Sequence, residues 1–150
     1  MEGLTALGAT AVLSTVAGDL AHCLYALGRD QEADELAALC AEKAATDDVI
    51  SQILWRSARA KVLARRGGTA VAEAPGREAV GLALETDSLA SQGDALVSLA
   101  EVLKLADRIA DARAAAAQAH RVYERKEHLV GAARTQRLLE ELTAASPVAE

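Results

Sequence analysis

Apolar residues recur at intervals of three and four along most of the chain, the period of helices that bury one face. The first run spans about Val12 to Leu27, with Leu13, Val16, Leu20, Leu24 and Leu27 on one stripe, and Gly28 stops it. Asp30 offers an N-cap for a second helix through Ala33, Leu36, Ala37 and Cys40. Thr46, Asp47 and Asp48 mark the start of a third, which carries Val49, Ile53, Trp55, Ala60 and Leu63 to Arg66, before Gly67-Gly68. Pro75-Gly76 interrupts the next run, so a fourth helix is expected from Pro75 to Leu84, with a loop or short turn over 68–74. Asp87 and Ser88 can cap a fifth helix bearing Leu89, Leu96, Leu99, Ala100 and Leu103, which ends at Asp107-Arg108. A sixth is expected from Ile109 to Lys126 and a seventh from Val130 to Thr143, closed by Ser146-Pro147.

Composition supports the same reading. The 150 residues are 51% hydrophobic but 2% aromatic, with no Phe and two Pro, and Ala and Leu dominate. Those residues favour helices, and the β-branched and aromatic residues that strands prefer are scarce. The expected fold class is therefore all-α, in one domain.

Two loop-and-helix segments and a third variant share one pattern. Leu24 to Gly28 and Ala33, Leu63 to Gly67 and Ala72, and Leu103 to Asp107 and Ala112 each place Leu four before the turn and Ala five after it. The turns stand 39 and 40 residues apart, and Ala21, Ala60 and Ala100 each lie seven before a turn. A period of this size marks helical hairpins that bury their apolar faces by stacking on one another. The pattern resembles the tetratricopeptide repeat family at Ala21, Leu24, Gly28, Ala33 and Ala37, at Ala60, Leu63, Gly67, Ala72 and Ala79, and at Ala100, Leu103, Ala112, Ala116 and Ala119. It departs in a period of about 40 where the family has about 34, in Asp107 at the third turn, and in Pro75-Gly76. The longer unit is similar to arrays at the C-terminal ends of bacterial ATP-dependent regulators and nucleotide-cyclase-linked ATPases, most specifically over 48–67 and 93–103. The resemblance implies an α-solenoid of about three hairpins (12–45, 46–86 and 87–127) with a capping helix over 130–143. Leu4 to Gly8 reads as the last turn and stop of a preceding helix.

Charge narrows the partners. Net charge is −6, spread as −7 over residues 1–50, +5 over 51–77 and −4 over 78–150. Phosphate backbones and anionic lipid should be repelled, so neither nucleic acid nor membrane is expected as a partner, contact through the cationic third helix being the weaker alternative. Gly18, Asp19 and His22 interrupt the most apolar run, and no leader pattern is evident, which points to the cytoplasm. Cys23 and Cys40 lack zinc or redox spacing and read as small core residues.

The resemblance places a partner-binding groove on the first helix of each hairpin, at Thr15, His22 and Tyr25, at Leu54, Lys61 and Arg65, and at Val97, Glu101 and Lys104. Lys61 and Arg65 are one helical turn apart and project together. With Lys104 they can receive a carboxylate or an acidic segment, although the asparagines of the family's carboxylate clamp are missing. Trp55 reads as an anchor between repeats. His22, His120 and His128 have no common metal spacing, no phosphate-binding loop is present, and His22-Cys23 point about 100 degrees apart on a helix, so no catalytic residue, metal or cofactor is expected. The expected role is a non-enzymatic module that binds a peptide or helix of another protein, with possible self-association through an exposed end. The alternative is a regulatory segment of a signalling ATPase, cyclase or transcriptional regulator.

Overall fold

Capping chemistry sets the boundaries of the helices in the computed structural model, which describes residues 2–145. The elements are α1 (Glu2–Ala26), α2 (Asp30–Lys43), α3 (Val49–Arg65), α4 (Thr69–Leu84), α5 (Leu89–Leu105), α6 (Ile109–Arg125) and α7 (Leu129–Ala145), with no strand among the described residues. The protein is all-α. Asp48 caps α3 by accepting from the Ser51 N–H, and Ser88 caps α5 by accepting from the Ser91 N–H. Ser146-Pro147 lies outside the described residues.

Gly28 and Gly67 adopt positive φ, and so do Asp107 (φ 59°) and Glu127 (φ 56°). All four make the same paired closure. At the first, the Gly28 N–H donates to the Tyr25 carbonyl and the Arg29 N–H to the Leu24 carbonyl; at the third, Asp107 donates to Lys104 and Arg108 to Leu103. Asp107 therefore performs the turn that glycine performs in the other two, and Glu127 repeats it between α6 and α7, where the sequence pattern gave no sign of it.

Each helix packs against the next in the chain. The odd-numbered helices also pack in succession, α1 on α3, α3 on α5 and α5 on α7, whereas α2, α4 and α6 do not touch one another. The alanines of the repeat sit where helices approach closely: Ala21, Ala33, Ala60, Ala72, Ala79, Ala100, Ala112, Ala116 and Ala119 are all fully buried. The largest cluster joins Leu99, Leu103, Leu138 and Leu142 with small residues of α6.

Several expectations require correction. The first helix begins at Glu2 and runs through Gly8 without a stop. Its Leu13, Val16, Leu20 and Leu27 point outward, and the packed face is Ser14, Ala17, Gly18, Ala21 and Tyr25. Small residues win because they let α1 lie against its neighbours: a Cβ on Gly18 would come 2.7 Å from Leu54 Cβ and 3.2 Å from Cys40 Sγ. Arg29, not Asp30, holds the N-cap position of α2, with no side-chain bond there. α4 starts at Thr69 and carries Pro75 inside. Proline removes the bond to the Val71 carbonyl, but Val71 lies on the exposed side, and Gly76 faces the core, where an added Cβ would come 3.3 Å from Leu99 and 3.7 Å from Ala60. Packing of Ala72, Gly76, Ala79 and Ala83 offsets the missing donor. Trp55 is half-buried, donates to Gln52 and lies under the Arg56 guanidinium rather than anchoring the core. Cys40 is buried, but Cys23 is exposed. The stretch Ala6–Ala26 is, by length and composition, apolar enough to cross a bilayer, since Gly18, Asp19 and His22 interrupt it less than expected.

Candidate functional site

Because α1, α3 and α5 pack in succession, they share one inner wall, and a cavity of about 610 Å³ opens along it. Asp19, His22, Cys23 and Tyr25 come from α1, Leu54, Ser57, Lys61 and Arg65 from α3, and Asp94, Ser98 and Glu101 from α5, with Arg134 of α7 at the edge. A second cavity of about 550 Å³ continues past Tyr25, Arg65 and Glu101 to Lys104, Arg137 and Glu141.

The structure thus brings together His22, Tyr25, Leu54, Lys61, Arg65 and Glu101, and places Lys104 in the adjoining cavity. Val97 lies elsewhere: it is 1% exposed and packs with Ala119, Val122 and Tyr123 in the core. Its position on α5 faces α6 instead of the groove. Thr15 lines neither cavity and lies 3.2 Å from the Ser51 hydroxyl.

The expected trio of free cations is not what the side chains form. Arg65 donates to Asp30 at 2.5 Å and to the Tyr25 carbonyl at 2.8 Å, and its guanidinium lies 3.4 Å over the Tyr25 ring. Lys104 pairs with Glu141 at 3.0 Å. Much of the cationic segment is likewise neutralised, with Arg66 on Asp34 and Arg56 on Glu78. Lys61 differs. It is 4% exposed, its ammonium sits 4.6 Å over the Tyr25 ring, and no described residue offers it a hydrogen-bond acceptor. Burial holds its pKa below the usual lysine range, against the pull of Glu101.

Polar groups around Lys61 are sorted by partner. The Leu54 carbonyl can only accept, so the His22 Nε2 at 3.1 Å carries the proton, leaving Nδ1 as the acceptor nitrogen. Burial, then the Lys61 charge, push the His22 pKa down to about 3. Arg134 donates to Glu101 at 3.0 Å, and the Tyr123 hydroxyl donates to Asp94. Ser57, one turn before Lys61, is 3% exposed and its hydroxyl has no partner. Asp19 is held above the usual carboxylate range by burial and then by the charge of Asp94.

The remaining candidates are structural. His128 Nδ1 accepts from the Gly131 N–H at the start of α7, and His120 Nδ1 lies 2.8 Å from the Thr135 hydroxyl. No cluster of potential metal ligands occurs among the described residues. Burial raises the Cys40 thiol to about 11, which leaves it protonated and inert. Sequence reasoning missed Asp19, Ser57 and Asp94. A signal was present for Ser57, which precedes Lys61 by four residues on the same helix.

No family model matches the chain, and no curated protein or solved structure shows significant similarity to it.

Proposed function

We propose that the protein is a non-enzymatic interaction module: a solenoid of three tetratricopeptide-like hairpins, α1–α2, α3–α4 and α5–α6, closed by α7, whose inner groove receives a peptide or helix of another protein. The observation that carries this reading is the pair of adjoining cavities running along α1, α3 and α5, lined by side chains from every hairpin. A segment lying there touches several hairpins at once, so spacing sets its specificity. The lining offers both signs of charge, with Asp19 and Asp94 in the first cavity and Lys104 and Arg134 in the second.

Affinity capture tests it. Wild-type protein and the lining variant Asp19→Arg/Lys104→Glu, matched for helicity and melting temperature, are exposed to the same lysate, beside an outer-face control, Arg77→Glu. The expected result is a partner retained by wild type and control and lost by the lining variant. Equal retention by all three would sink the groove as the binding surface.

A second reading is favoured by one observation, the outward apolar face of α1 at Val12, Leu13, Val16 and Leu20. A further hairpin packed there would make the chain a regulatory segment of a larger signalling ATPase, cyclase or transcriptional regulator. The same face suits self-association, and light scattering across a concentration series reads it directly: a concentration-independent monomer removes self-association.

A further inference from the structure

We infer that the cavity around Lys61 is a binding site for a small zwitterion, a molecule that presents a carboxylate to Lys61 and Ser57 and an ammonium group to Asp19 and Asp94. This goes beyond the protein-partner reading, since it requires no second macromolecule.

The argument starts from two unsatisfied groups. An ammonium carries three donors, and that of Lys61 makes no hydrogen bond or ion pair among the described residues: it lies over the Tyr25 ring, with the charges of Glu101 and Asp94 acting on it from further off. One turn earlier on α3, the Ser57 hydroxyl is buried with no hydrogen-bond partner among the described residues. Both side chains line the same cavity. Buried polar groups in folded proteins are ordinarily bonded, and a cation without an acceptor is the costlier exception. Two such groups, four residues apart on one helix face, mark a place where an acceptor from outside completes the shell.

Charge decides which acceptor. Lys61, which makes no ion pair among the described residues, faces a cavity that also contains Asp19, Asp94 and Glu101. Arg65 and Arg134 line the same cavity but are paired with Asp30 and Glu101, so a phosphate dianion would meet one ammonium and two carboxylates outside those pairs, whereas a single carboxylate matches Lys61 and can also accept from Ser57. Glu101 is already paired with Arg134. Asp94 accepts the neutral Tyr123 hydroxyl, and among the described residues neither Asp94 nor Asp19 makes an ion pair. Burial and the nearby charge of Asp94 raise the Asp19 carboxyl, which means that the two acids repel one another. An ammonium group placed there relieves that repulsion. At about 610 Å³ the cavity lies within the usual range for small-molecule sites.

The test is calorimetric titration of the full chain with glycine, L-glutamate, L-lysine and 4-aminobutyrate, and with acetate, methylammonium and inorganic phosphate as single-ended probes. The expected result is saturable one-to-one binding of at least one zwitterion, at least tenfold tighter than any single-ended probe. That binding should fall at least tenfold in Lys61→Met and in Asp19→Asn/Asp94→Asn, and remain in the Lys104→Glu variant. Ser57→Ala, which adds no volume or charge, supplies a weaker loss if Lys61→Met fails to fold. Phosphate or acetate binding as tightly as the best zwitterion would overturn the assignment. So would undiminished binding by folded Lys61→Met or, failing that variant, by Ser57→Ala, or the absence of saturable heat with every zwitterion to about 10 mM. Loss of the groove's protein partner in the capture experiment would leave this result untouched, so the two readings fail separately.

Discussion

α1 and α5 are both rich in apolar residues, yet they occupy opposite situations. α5 is packed by α3, α4, α6 and α7 and buries an unbroken run from Ala95 to Ala100. α1 is packed by α2 and α3 alone, and leaves Val12, Leu13, Val16 and Leu20 about half exposed. An apolar face is buried only where a neighbour covers it, and α5 has twice as many neighbours as α1. The contrast teaches that an apolar stripe identifies what can be buried, while neighbours decide what is. On α1 the small residues Ala17, Gly18 and Ala21 select the packed face because they admit the closest approach.

Truncation should reveal this asymmetry most strongly. Leu103 is 1% exposed in the largest core cluster, so Leu103→Ala should cost about 3 kcal/mol in urea unfolding. Leu13→Ala on the outer face of α1 should stay within about 0.5 kcal/mol. Comparable losses at the two sites would mean that α1 is covered in solution.

Glycine positions sharpen the same point. A Cβ on Gly93 of α5 would meet the Tyr123 ring at 2.6 Å, and one on Gly131 of α7 would meet that ring at the same distance. The ring is clamped between two helices and cannot retreat. Gly93→Ala should therefore cost about 2 to 3 kcal/mol. Gly18→Ala meets Leu54 just as closely, but the outer side of α1 is open and the helix can move away, so about 1 kcal/mol is expected. Thermal melts of the two variants decide it, and equal shifts would remove the distinction.

These contacts also explain what the sequence disclosed. Turn glycines, paired leucines and spaced alanines are local or periodic signals, so the helices and the turns between them were legible, Asp107 included. Close approach is a tertiary fact. Nothing around Gly93 or Gly131 in the chain announces a tyrosine ring, and Pro75 reads as a breaker until Gly76 is seen against Leu99. For the site, the family resemblance pointed to His22, Tyr25, Lys61 and Arg65, which line one cavity, whereas the pairing of Arg65 with Asp30 and the burial of Val97 depended on α2 and α6. Residue type alone does not say which of several cations is left without an anion.

Acid should act first on the α1 side. His22 titrates near 6.5 when unfolded but at about 3 when folded, because burial and Lys61 oppose its charge. Between those values the unfolded chain takes up a proton that the folded chain refuses, so stability is lost as pH falls below about 6.5. The loss attributable to His22 should reach about 2 kcal/mol at pH 5. His22→Gln keeps a donor for the Leu54 carbonyl and has no such proton, so its stability should fall less between pH 7 and pH 5 by that amount. Parallel pH profiles for the two proteins would refute the assignment.

The smallest effect concerns how α1 is held at all. Where α5 uses leucines, α1 uses a hydroxyl: the Ser14 Oγ lies 2.8 Å from the Ala11 carbonyl, 3.1 Å from Asp48 Oδ2 and 3.0 Å from the Ser51 hydroxyl. Its single proton serves one acceptor at a time, while its lone pairs accept from Ser51. Asp48 also keeps the Ser51 N–H and so remains satisfied without Ser14. Ser51 keeps a contact with Thr15 at 3.2 Å. Ser14→Ala therefore orphans no partner, and its cost should be near the net worth of one hydrogen bond, about 1 kcal/mol. Amide exchange should then quicken in α1 while that of α5 is unchanged. A uniform rise across both helices would mean that α1 opens only with the whole protein, and that its thinner packing confers no independent motion.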